Sequence, residues 1–160
     1  MSYNISTISG IKKSGGSLSP PSSLAVDQQL GLNATGFSLT GASISSGSVT
    51  LNAGGWVLMA GIYLERDGSQ STYTDARWYD VTNDEMVGST AAAWVSSNVQ
   101  VGWYSGTLAW AVVTPSVSTE YEMRITSWSG VTSGISMEPG GAIDPMVYDF
   151  GEPWYAIMSM

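Results

Sequence analysis

The sequence contains no histidine and no cysteine among its 160 residues. Their absence removes Ser-His-Asp and Cys-His nucleophilic sites, histidine- or cysteine-bound zinc, thiol redox chemistry and disulfide staples. It leaves the redox compartment open. Charge is scarce as well: charged residues make up 11% of the chain, against about 25% in an ordinary soluble domain. The net charge is −8, so no nucleic-acid partner is expected, because phosphates would repel so acidic a body. No apolar run approaches the roughly 18–20 residues of a spanning helix, and no membrane partner is expected. Met1–Gly10 lack both a basic start and an apolar stretch, which predicts no secretory leader.

What is present is apolar and small. Hydrophobic residues fill 43% of the chain, enough for one domain with a real core and too much for a disordered polypeptide. So little charge on so much apolar sequence implies that part of the surface is covered by another molecule. The charge is also segregated. Residues 1–26 hold both lysines, Lys12 and Lys13, and no acid, while all 13 acids and the three arginines follow from Asp27 onward. Glycine, serine and the pair Pro20-Pro21 dominate this first stretch, a composition that resists packing into a core. Three isoleucines, Ile5, Ile8 and Ile11, punctuate it. We read residues 1–35 as an extended docking arm, in which those isoleucines and the two lysines would contact a partner, ahead of a body at residues 36–160.

From Thr35 onward the pattern is β. Short runs rich in Tyr, Trp, Val, Ile and Thr alternate with Gly, Ser, Asn and Pro at roughly 8–12-residue intervals. Strands are expected near Gly36–Leu39, Ser48–Leu51, Trp56–Arg66, Ala76–Asp80, Glu85–Gly88, Val99–Tyr104, Thr107–Thr114, Tyr121–Trp128 and Trp154–Met158. Leu24–Leu32 and Ala91–Ser96 are read as single helical turns. Asp80–Glu85 forms a hairpin loop carrying the turn formers Asn83 and Asp84. Many short strands without helices predict an all-β antiparallel sandwich or jelly roll.

The strand faces are the best clue. Tyr121–Trp128 mostly alternates, with Tyr121, Met123 and Ile125 opposite Glu122, Arg124 and Thr126, as a strand with one wet face should. Three others do not. Trp56–Glu65 sets Trp56, Leu58, Ala60, Ile62 and Leu64 against Val57, Met59, Gly61 and Tyr63. Thr107–Val113 sets Leu108, Trp110 and Val112 against Ala109, Ala111 and Val113. The C-terminal strand sets Trp154, Ala156 and Met158 against Tyr155 and Ile157. A two-layer sandwich buries one such face, so the second needs a cover, and a closed ring of copies supplies it. Trp56 and Trp110 are assigned to the body. Val57, Met59, Tyr63, Trp103, Tyr104, Trp154, Tyr155 and Ile157 are assigned to the contact between copies.

The segment Leu51–Leu64, with its Gly54-Gly55-Trp56 entry into an apolar strand, resembles the early strand of C1q/TNF-like jelly rolls. Arg77-Trp78-Tyr79-Asp80-Val81-Thr82-Asn83, followed by Val87-Gly88, is similar to the hairpin that follows in phage-encoded members. A Gly/Ser-rich arm ahead of such a domain is similar to trimeric capsid decoration (cement) proteins of tailed phages. This resemblance implies a homotrimer on the outer surface of a virion, bound to the major capsid protein and stabilising the shell. The other expectation is the tip of a tail fibre or spike that recognises a host receptor or glycan through exposed tryptophan and tyrosine.

Acid–base catalysis would rest on carboxylate pairs alone, either Asp80, Asp84 and Glu85 or Glu120 and Glu122. Their placement in a hairpin loop and on a strand face reads as turn chemistry and solvation, and no enzyme is expected. Asp80, Asn83, Asp84 and Glu85 offer oxygens to calcium, but their spacing does not follow the D-x-[DN]-x-[DN]-G pattern of an EF-hand loop. A plain turn is the reading there, with no cofactor expected.

Overall fold

The computed structural model describes residues 12–19, 25–62, 65–66, 72–95, 105–129, 135–136 and 154–160. Every regular element among them is a strand. In chain order these are β1 (Lys12–Ser19), β2 (Gln29–Leu32), β3 (Ala42–Ser45), β4 (Ser48–Leu51), β5 (Trp56–Gly61), β6 (Glu65–Arg66), β7 (Thr72–Asp80), β8 (Glu85–Val95), β9 (Ser105–Thr107), β10 (Ala109–Val113), β11 (Thr119–Ser129), β12 (Ile135–Ser136) and β13 (Trp154–Ser159). All described pairings between them are antiparallel.

One long sheet runs in the order β10-β5-β13-β1-β2-β11-β7-β8-β9, with β4 also on β11 and β3 on β4. It folds over on itself at β1. Residues Lys12–Ser17 pair with β13, and Leu18–Ser19 pair with β2. One layer is therefore β10-β5-β13-β1 and the other is built around β11 and β7. Their inner faces interlock through alternating residues: Trp56, Leu58 and Ala60 of β5 and Tyr155 and Ile157 of β13 pack opposite Trp78 of β7 and Met123 and Ile125 of β11. This is an all-β antiparallel jelly roll, one of the two architectures that the residue pattern predicts and the one that the resemblance implies.

The open ends of the sheet meet along a seam. The β7–β8 register slips between Arg77 and Trp78, so Gly88 and Ser89 bulge from β8 toward β10. Gly88 has φ +73, and a Cβ built on it would lie 2.1 Å from the Trp110 carbonyl oxygen and 2.6 Å from Ala111 Cβ. The Ser89 hydroxyl donates to Leu108 O at 2.9 Å and accepts from Trp110 N–H at 2.9 Å. A side chain thus caps the β10 edge, which would otherwise offer free backbone groups.

Several expectations need correction. Residues 12–19 and 29–32, placed in the arm, are strands of the body. Leu18, Leu30 and Leu32 are buried in its core, and that apolar anchoring outweighs the weak β signal around them. The expected turn over Leu24–Leu32 ends in β2. The expected turn at Ala91–Ser96 is largely β8, because Ala91 and Ala93 bury completely against the core. Gly36–Leu39 is not a strand: it leads from a turn at Thr35-Gly36 to an isolated bridge between Leu39 and Ala42. Val99–Tyr104 lies outside the described residues.

Candidate interaction surface

The two layers present opposite kinds of outer surface. On the β11–β7 side the polar residues satisfy one another. Gln29 Nε2 donates to Ser48 Oγ at 3.0 Å, and Ser48 Oγ to Glu122 Oε2 at 3.5 Å. Arg124 pairs with Glu122 and lies over the Tyr79 ring at 3.5 Å from its centroid, while the Tyr79 hydroxyl donates to Asp84. Such a face is content in water.

The outer face of β10-β5-β13-β1 is not polar. Register places Val112, Val57, Met158 and Lys13 in one transverse row. Trp110, Met59, Ala156 and Gly15 form the next row. Trp110 is 53% exposed, Val112 55% and Leu108 37%. Val57, Met59, Ala156 and Met158 are half-buried by their neighbours. Four strands about 4.8 Å apart and some five residues long span on the order of 300 Å². A patch of that extent is comparable to the largest on an ordinary monomer, which is often functional. The seam holds it firmly, since Ser89 bonds the backbone at Leu108 O and at Trp110 N–H.

Of the residues assigned to contact between copies, Val57 and Met59 lie on this face. Tyr155 and Ile157 do not, which corrects the assignment. They are 2% and 0% exposed, and Tyr155 donates to Asn33 O at 2.6 Å inside the same protomer. The C-terminal strand turns its other side outward, with Ala156 and Met158. Trp154 occupies the register position opposite Gly61, and its side chain lies outside the described residues. Tyr63, Trp103, Tyr104, Ile5, Ile8 and Ile11 also lie outside them. Trp110 corrects the other tryptophan assignment: it is not in the core. Ala111 packs directly under Gly88, so the inward side of β10 admits only small residues there and the indole turns out. Alternation alone signalled two apolar sides without telling which was which.

The acidic residues have structural employment. Asp80 is buried and accepts from Asn83 N–H and Asn83 Nδ2, both at 2.9 Å, which closes the expected hairpin loop. Asp84 takes the positive φ of +57 that this turn requires. Asp80 and Glu85 also line an open cavity of about 330 Å³ with Thr82, Val113, Pro115 and Tyr121. Burial, then the charge of Asp80 and a hydrogen bond to it, with a smaller push from Glu85, drive the Tyr121 hydroxyl up to about 12. No group of three or more acids that could hold a metal ion occurs among the described residues.

No protein-family model matches the chain, and no curated protein does. Among solved structures the chain is similar to murine APRIL, crystallised at pH 5.0, with a TM-score of 0.57 and 11% identity, over 93% of this chain and 100% of that one. At that identity the likeness speaks for the fold alone, and the chain carries a TNF-like jelly-roll domain.

Proposed function

We propose that this chain is a structural virion protein. It forms a homotrimer through the outer face of β10-β5-β13-β1, sits on the outside of a capsid and stabilises the shell of major capsid protein. The observation that carries the reading is the firmly held apolar face around Trp110 and Val112, on a domain whose other layer is self-sufficient in water. A closed ring of copies removes that face from solvent without leaving a growing end. Residues 1–11, with Ile5, Ile8 and Ile11, supply the capsid contact. Each isoleucine contributes roughly 1.5–3 kcal/mol at full burial. A trimer presents three such segments, and effective concentration multiplies their affinity. A ligand that binds only the assembled shell stabilises it by mass action.

The test uses sedimentation and capsid binding together. The full chain should sediment as a trimer at micromolar concentration and decorate capsids. Removing residues 1–11, which spares β1, should leave the trimer intact and abolish decoration. A monomeric full chain, or full decoration by the shortened one, would refute the respective half of the proposal. A host-glycan or receptor tip is the second reading, favoured by the half-exposed Trp110 indole as a stacking surface. Binding on a glycan array by a chain that ignores capsids would select it.

A further inference from the structure

The apolar face carries opposite charge on its two flanks, and we infer that these flanks bind one another between copies. The Lys12–Lys13 end of β1 in one protomer seats against the acidic cavity beside β10 in the next. The inference rests on the trimer reading above and adds the contact that orients the ring.

Register sets the geometry. Lys13 stands in the same transverse row as Val112, three strands away. Lys12 stands in the row of Ser159, Trp56 and Val113. Val113 is also a wall of the cavity that Asp80 and Glu85 line. The basic and acidic flanks are therefore level with each other along the strands and roughly 15 Å apart across them. Rotation about an axis that runs along the strands preserves level. It brings the lysine flank of one copy opposite the acidic flank of its neighbour. An axis perpendicular to the strands would invert the levels and part them.

The charges fit. Lys12 and Lys13 are the chain's only lysines, and both are exposed. The one ion pair among the described residues is Arg124–Glu122, so neither lysine has a described acid in its own copy. The cavity lining holds no cation; of its two acids Glu85 is exposed, while Asp80, buried and bonded to Asn83, adds only its charge. The ammonium group of a second copy of this chain matches the cavity in charge and in level. The arrangement also places the Lys12 end of every β1 on the same side of the ring, the side that would face the capsid.

The experiment is sedimentation of the full chain at low and high salt, with circular dichroism to verify folding. For the wild type the trimer should weaken as salt rises. K12E/K13E should lower the monomer–trimer association constant by about tenfold or more at low salt, because the exposed contact recurs in all three interfaces. K12S/K13S should lose the salt dependence. Adding E85K to K12E/K13E should recover part of the loss, and Glu85 is exposed, so the fold tolerates the change. Wild-type association by K12E/K13E, within about twofold, would overturn the charged contact while leaving the trimer standing. A wild type that is monomeric throughout would overturn the trimer reading itself.

Discussion

Tyr121 ties the hairpin loop to the core through one hydroxyl. Its ring is buried on the inner side of β11 and its hydroxyl meets Asp80, whose other bonds close the Asp80–Glu85 turn. The folded state holds this proton up to about 12, whereas a free tyrosine releases it near 10.0. The stability that follows is complete below about pH 10 and is lost as pH rises from there through about 12. Tyr155, raised by burial, acts in the same direction. Thermal melting across this range should show stability falling as pH rises. Tyr121→Phe should flatten the fall. A variant with the wild-type slope would show that another group governs alkaline unfolding.

Among the elements, the joint between β8 and β10 decides most. It closes the sheet, forces Trp110 outward and hides an edge that would otherwise pair with other chains. Gly88→Ala adds a methyl group where backbone atoms stand at 2.1 and 2.8 Å, at a φ that disfavours any side chain. The expected loss is about 2–4 kcal/mol, read as a shift in the urea midpoint. An unchanged midpoint would mean that the bulge and β10 do not meet closely in solution. Nothing local announced this joint, because Val87-Gly88-Ser89 reads as the end of a strand until its partner is known. β1 was hidden for a related reason. Lys12–Ser19 is polar and glycine-rich, and only Leu18 reaches the core; the strand exists because β13 and β2 leave a place for it. By contrast β4, β7, β10 and β11 were legible to within a few residues, because β-branched and aromatic side chains recur there at period two.

For the whole molecule, the asymmetry between a polar layer and an apolar one is the governing property. Trp110→Asp with Val112→Asp places charge on the outer side of β10, where both side chains are about half exposed. The double variant should melt within about 0.5 kcal/mol of the wild type, since exposed positions contribute little to the isolated fold. It should nevertheless sediment as a monomer and lose capsid binding through lost avidity. An intact trimer would place the contact between copies elsewhere.

Composition and periodicity were enough to point to an all-β sandwich or jelly roll without histidine or cysteine chemistry, and to show that several strands are apolar on both sides. Those are local properties: side chains alternate along any strand whatever it pairs with. Which side faces the core is not local. A shift of one residue in pairing exchanges the two sides entirely. Only the assembled sheet, with Gly88 pressed against β10 and Tyr155 bonded to Asn33, turns Trp110 and Val112 to the solvent and Tyr155 and Ile157 to the interior.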